Sequence, residues 1–155
     1  MSRTASAASL LHAAAQDLHA GKQNGAARLP AIARAATDPA LVAILTAEAD
    51  RAAAQAARLE RTGLNPGGPE NLWLAGILDD AERDARSTEP GRLLDIALVG
   101  AVRKGKAAEI VSSDTALALA AELDDAGLGD AVRLNRAEEV ATDKALAGRL
   151  AALTG

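Results

Sequence analysis

Apolar side chains recur at spacings of three and four along nearly the whole chain, and a few breakers divide that pattern into five helical stretches. The first runs over residues 5–36, with Leu11, Ala14, Leu18, Gly25, Leu29 and Ile32 on one face. Pro30 falls inside it and predicts a kink, because its ring removes a backbone hydrogen bond. Thr37-Asp38-Pro39 reads as a helix start, with Asp38 as cap and Pro39 at the first helical position. A second helix then covers 38–61 and carries Leu41, Ile44, Leu45 and Leu59. Asn65-Pro66-Gly67-Gly68 marks a loop. A shorter helix over 70–86 contains Trp73, Leu74, Ile77 and Leu78, and a long one covers 90–126. Gly127-Leu128-Gly129 is read as the stop before a last helix over 130–153, capped by Asp130.

No stretch alternates with the period of two that strands require. The expected class is therefore all-α, with residues 1–155 forming a single domain. Two long helices joined by a tight turn, a long connection with its own short helix, and two more long helices make two hairpins and a crossover. That connectivity is the ferritin-like form of an antiparallel four-helix bundle.

Each apolar stripe turns polar near the middle of its helix. Lys22 interrupts the first; Glu48, Arg51 and Gln55 the second; Lys106, Glu109 and Ser113 the third; Asn135, Glu139 and Asp143 the last. Counting from Thr37, Lys22 is 37 − 22 = 15 residues before the turn and Arg51 is 51 − 37 = 14 after it, nearly the same height at about 1.5 Å per residue. In the second hairpin, counting from Leu128, Glu109 is 128 − 109 = 19 away, Glu139 is 139 − 128 = 11 and Asp143 is 143 − 128 = 15. The levels there disagree, which asks for a different loop position or a bent helix.

Acids converging from facing helices, with histidine nearby, are how a bundle holds two metal ions. Here Lys22, Arg51 and Lys106 balance Glu48, Glu109 and Glu139, three charges against three, before any metal is added. Asp143 would add one more negative charge. His12 and His19 both lie in the first helix, and no Glu-x-x-His pair exists. The expectation is a core ion-pair cluster of Lys22, Glu48, Arg51, Gln55, Lys106, Glu109 and Glu139, with no metal or other cofactor. The competing placement leaves the three bases in solvent, since long basic side chains snorkel and one helical position turns a face by about 100°.

Composition narrows the classes further. The chain of 155 residues has 49% hydrophobic residues and one aromatic, Trp73, so the core is built from Ala, Leu, Val and Ile. Trp73 reads as a core anchor under the crossover. A net charge of −4 without a basic face argues against nucleic acid. Absence of cysteine excludes disulfides and thiolate chemistry. No stretch approaches the roughly 18 apolar residues of a membrane span. The first residues, Met1 to Ala5, run into a helical pattern rather than a signal core, so a cytoplasmic location is expected. Gly63 to Gly68 lacks the Lys-Ser/Thr ending of a phosphate loop.

Asp38-Pro39-Ala40-Leu41, then Gln55, Arg58, Leu59 and Glu60, Asp95 to Val99, Glu109-Ile110 and Glu138-Glu139-Val140-Ala141-Thr142-Asp143 together resemble the YciE/YciF family of ferritin-like proteins over about 10–153. That resemblance implies a fold similar to di-iron carboxylate proteins and a link to bacterial stress responses. It also implies that family acids fall on Lys22, Arg51 and Lys106, that a family histidine falls on Glu48, and that Gln55, Glu109, Glu139 and Asp143 match. The expected role is a non-catalytic, stress-related structural or interaction protein, a homodimer or a heteromer with a homologous bundle. The alternatives are a weak metal-binding or oxidase-type protein using Glu48, Glu109, Glu139 and Asp143, or the degenerate partner of an intact homologue.

Overall fold

The computed structural model describes residues 3–155. Met1 and Ser2, the start of the stretch read as leading into a helix rather than a signal core, lie outside them. Among the described residues all regular structure is helical, in five segments: α1 (Ala7–Ala35), α2 (Pro39–Glu60), α3 (Leu72–Ser87), α4 (Arg92–Glu122) and α5 (Ala126–Thr154).

The helix starts are built by local side chains. The Ser6 hydroxyl accepts from the Ser9 amide, the Asp38 carboxylate from Leu41, and the Asn71 amide oxygen from Leu74. Each leaves one fewer orphan donor in a first turn. α1 runs unbroken through Pro30 to Ala35.

α1 packs along α2 and α4, and α5 along α4 and α2, so the four long helices close a ring; the short α3 lies against α1 and α4. Neighbours in the ring are antiparallel. Ile32 and Leu41 share one apolar cluster with Leu94, Leu98 and Leu146, whereas Leu11 and Leu59 share the other with Ala120 and Leu128. The two clusters fill opposite ends of the ring and leave its middle to polar residues.

The turn between α1 and α2 is held from a distance. Asp95, 1% exposed on α4, accepts from the Thr37 amide and hydroxyl at 2.8 Å each and from the Asp38 amide at 2.9 Å. α3 is fastened to α1 along its length. Asn71 and Trp73 donate to the Asp17 carbonyl and carboxylate, and Arg28 pairs with Asp79 at 2.6 Å and Glu82 at 3.0 Å. Trp73 is half-buried there, against the first apolar cluster.

The last turn is not where the glycines suggested. α4 ends at Glu122, and Gly127 to Gly129 lie inside the first turn of α5. Asp124 takes the left-handed conformation (φ 52°), the Asp124 amide donates to the Ala121 carbonyl, and Asp125 donates to Ala120. This pair of reverse bonds is the usual glycine-type helix stop, made here by aspartate, which tolerates that conformation better than most residues. Asp125, not Asp130, caps α5 by accepting from Leu128. Asp130 sits on the helix surface beside Arg133. Gly129 faces α4, where a Cβ would meet that of Ala120 at an ordinary contact distance of 3.6 Å.

Candidate functional site

With the second turn centred on Asp124, the levels agree: 124 − 109 = 15 and 139 − 124 = 15 residues, matching the 37 − 22 = 15 of Lys22. Helices of nearly equal length packed antiparallel bring these three positions to one height in the middle of the ring. The hydrophobic stripe of each helix carries its polar residue inward there, because the same face is buried above and below it.

Lys22 is 3% exposed and its ammonium pairs with Glu109 and, at 3.1 Å, with Glu139. Lys106, 4% exposed, pairs with Glu48 at 2.5 Å, Glu139 at 2.6 Å and Glu109 at 3.4 Å. Each carboxylate therefore faces at least one ammonium from another helix, and Glu139 bridges both lysines. Glu48 is closed on its other oxygen by the Thr142 hydroxyl at 2.9 Å and by Arg51 at 3.1 Å. Thr142 also accepts from Arg51 at 2.7 Å.

Arg51 stands at the rim, its side chain 38% exposed. The buried set alone counts two lysines against three glutamates, and Arg51 supplies the third positive charge from the edge. Gln55 lies alongside, donating to the Asn135 carbonyl at 3.5 Å and to Glu138 at 3.2 Å. It also helps hold the Glu139 carboxylate ionised, and so joins the cluster to a neighbouring network in which Arg58 binds Asn135 and, at 2.7 Å, Glu138. Asp143 is not with the other acids. It faces outward and pairs with Arg103 at 2.8 Å, so the residual acid set reduces to Glu48, Glu109 and Glu139. The heptad geometry explains this, since a residue four beyond Glu139 drifts off the face when Thr142 and Leu146 hold the buried line.

Electrostatics follow from this enclosure. Burial disfavours the Glu139 carboxylate, but the Lys106 and Lys22 ammoniums outweigh it and hold its pKa at about 2. Burial likewise disfavours the Lys106 ammonium, and Glu109, Glu139 and Glu48 override that, raising its pKa above the ordinary lysine value. Glu138 is pushed up by burial and pulled further down by its bonds from Arg58 and Gln55.

His19 is fully buried one helical turn before Lys22, but its Nε2 pairs with Glu60 at 2.8 Å across α1 and α2 and not with the cluster acids; His12 is exposed. Thr142, Glu138 and Arg58 had no role assigned from the stripes. Thr142 is recognisable only in retrospect, as a polar residue on the buried line three beyond Glu139.

A family model described as "Domain of unknown function (DUF892)" matches residues 6–155. The chain belongs to this family. Two solved structures place this DUF892 chain among YciF-like proteins. The crystal structure of the Escherichia coli stress protein YciF superposes with a TM-score of 0.93 at 21% identity, covering 97% of this chain and 98% of that one. YcfI from Rhodopseudomonas palustris, described as "a putative structural protein", gives 0.88 at 25% identity, covering 94% and 96%. No curated protein matches the chain.

The DUF892 chain's mid-ring donor set does not fit a metal pair. The three carboxylates already accept from fixed ammonium groups, and among the described residues no group of three or more His, Asp or Glu side chains is arranged to hold an ion. A divalent cation would have to enter beside two buried positive charges. The arrangement can lock four helices together. Its carboxylate oxygens are already taken up by ammonium, guanidinium and hydroxyl donors.

Proposed function

We propose that this protein is a ferritin-like antiparallel four-helix bundle with α3 as its crossover helix, and that a core ion-pair cluster replaces the metal centre of that architecture. Its role on this reading is non-catalytic: a structural or interaction protein in a stress-related setting. One observation carries the reading. Lys22 and Lys106, both almost fully buried, occupy the middle of the carboxylate set and link α1, α2, α4 and α5 through Glu48, Glu109 and Glu139. Buried ion pairs contribute little net stability because desolvation offsets attraction, but mispairing them is costly, so their value is in fixing register. The similarity to YciF, a stress protein, and to YcfI, "a putative structural protein", supports the same reading.

The experiment is elemental analysis of protein purified without chelator, after growth in medium supplemented with iron, manganese and zinc. The expected result is well below one equivalent of any of them. Stoichiometric metal that is lost on Glu109→Gln would overturn the proposal.

Assembly with a second bundle, the same chain or a homologue, is part of the proposal. It rests on the exposed apolar side chains Leu72, Leu93 and Val111 at 77%, 65% and 65% exposure, which a partner could cover. Light scattering at micromolar concentration that shows monomer alone would remove it. No helix of the described residues is long and apolar enough to cross a membrane.

A further inference from the structure

α4 is apolar on two sides. Its inner side carries Leu94, Leu98, Val102 and Ala116 into the bundle, all of them buried. Its outer side carries a second line made of Leu93, Ala97, Gly100, Ala107, Val111 and Ala118. With Lys104 and Asp114 in their places on that line, the steps alternate between four residues and three from 93 to 118. That is the spacing of a coiled-coil seam, held over 118 − 93 = 25 residues, roughly 38 Å of helix. Leu93 and Val111 are each 65% exposed, Ala107 and Ala118 are exposed, and Ala97 and Gly100 are half-buried. A surface helix ordinarily keeps its outer face polar, and one that is apolar on both sides is ordinarily covered on both.

The two charged positions of the line decide what covers it and in which direction. Lys104 and Asp114 stand five residues on either side of Glu109. Two copies of α4 packed antiparallel about that level set Lys104 of each against Asp114 of the other. The same alignment sets Ala107 against Val111 and Gly100 against Ala118, so every layer pairs small with small or small with medium. Parallel packing would instead set lysine on lysine and aspartate on aspartate, and like charges face to face are costly. Both side chains have capacity for a new partner. Lys104, 69% exposed, reaches Asp80 only at 4.0 Å, and Asp114, 55% exposed, gives one oxygen to Arg136 at 2.6 Å and keeps the other. A Cβ at Gly100 would meet nothing within 4 Å, so the bare backbone there answers no neighbour within the chain and lets a second helix approach closely.

We propose that the outer face of α4 is a docking surface for a second copy of this chain, the two α4 helices lying antiparallel with a Lys104–Asp114 ion pair on either side of a small-residue seam. This inference rests on the assembly reading above. It narrows the partner from any homologous bundle to this chain, and the surface from scattered apolar side chains to one helix face.

The test is the oligomeric state of the full chain by light scattering and sedimentation at micromolar concentration, with circular dichroism to show that each variant is folded. The parent is expected to be a dimer. Lys104→Glu places a carboxylate against Asp114 at both ends of the seam, and Asp114→Lys places an ammonium against Lys104. Each variant alone should dimerise at least about tenfold more weakly. An equimolar mixture of the two should dimerise again, because every charge then faces its opposite. Ala53→Glu, on the exposed side of α2 across the ring from α4, should leave the dimer intact. A parent dimer that ignores both α4 changes, or one that Ala53→Glu dissociates, overturns the α4 surface and leaves assembly standing. Two weakened variants that stay apart when mixed overturn the antiparallel pairing. A parent that is monomeric throughout overturns the assembly reading itself, which separates the two failures.

Discussion

Lys106→Glu is the most informative single change. It restores an acid of the kind a metal site would use, at a position where the ammonium now meets Glu48, Glu139 and Glu109 within 3.4 Å. With Arg51 counted, the cluster goes from three positive and three negative charges to two and four. Opposite charges about 4 Å apart attract by ~4 kcal/mol at an effective dielectric near 20, and each of three attractions becomes a repulsion. The full sum would exceed the stability of an ordinary domain, so carboxylates will take up protons and side chains will shift. What survives is the cost of breaking a buried pair, about 3–5 kcal/mol. For a chain of this size that lowers the melting temperature on the order of 10 °C. The assay is thermal unfolding followed by circular dichroism at 222 nm with chelator present. Lys106→Met is the control for lost packing, and adding Glu48→Gln to it should recover part of the loss by removing an orphaned carboxylate. A melting temperature within 2 °C of the parent for Lys106→Glu, a margin of about 1 kcal/mol, would refute the reasoning. The charges would then be solvated and the register argument would fall with them.

Three further outcomes follow from the same geometry. Glu139 has a folded pKa of about 2 against about 4.3 in an unfolded chain, so its contribution is complete above the latter and fades as pH falls toward the former. Urea titrations at pH 5 and pH 2.5 should show a loss of stability that is smaller in Glu139→Gln; equal pH dependence in both proteins would count against the pairing. Asp95→Ala strands the Thr37 and Asp38 amides at the first turn, and a loss of about 2–4 kcal/mol is expected in denaturant unfolding, with little change meaning that water replaces the carboxylate. Gly127→Ala, inside α5, should raise stability by about 0.5 kcal/mol because alanine favours helix; a clear loss in the same titration would put the chain break back at Gly127.

The helical class and the residues that meet in the middle were written in local pattern. Stripes of Leu, Ile, Val and Ala at spacings of three and four say which side of a helix is buried, and Lys22, Glu48, Lys106, Glu109 and Glu139 sit on those stripes. A side chain flanked above and below by buried neighbours has little choice of face. The turn after α4 was not legible in that way. Gly127 and Gly129 carry the local signal for a stop, yet the chain reverses at Asp124, where Glu109 and Glu139 reach the same height. Local conformational preference for glycine over aspartate in the left-handed region is about 1–2 kcal/mol, and the packing of two thirty-residue helices outweighs it. Pairing was likewise decided in three dimensions. A charge count could balance three bases against the acids, but it could not know that Asp143 turns outward to Arg103, that Arg51 stays at the rim, or that Thr142 closes Glu48. Those choices depend on distances between helices far apart in sequence, where one turn of drift moves a side chain from the core to solvent. Sequence alone sets what each helix buries; the packed ring of helices sets which buried charge answers which.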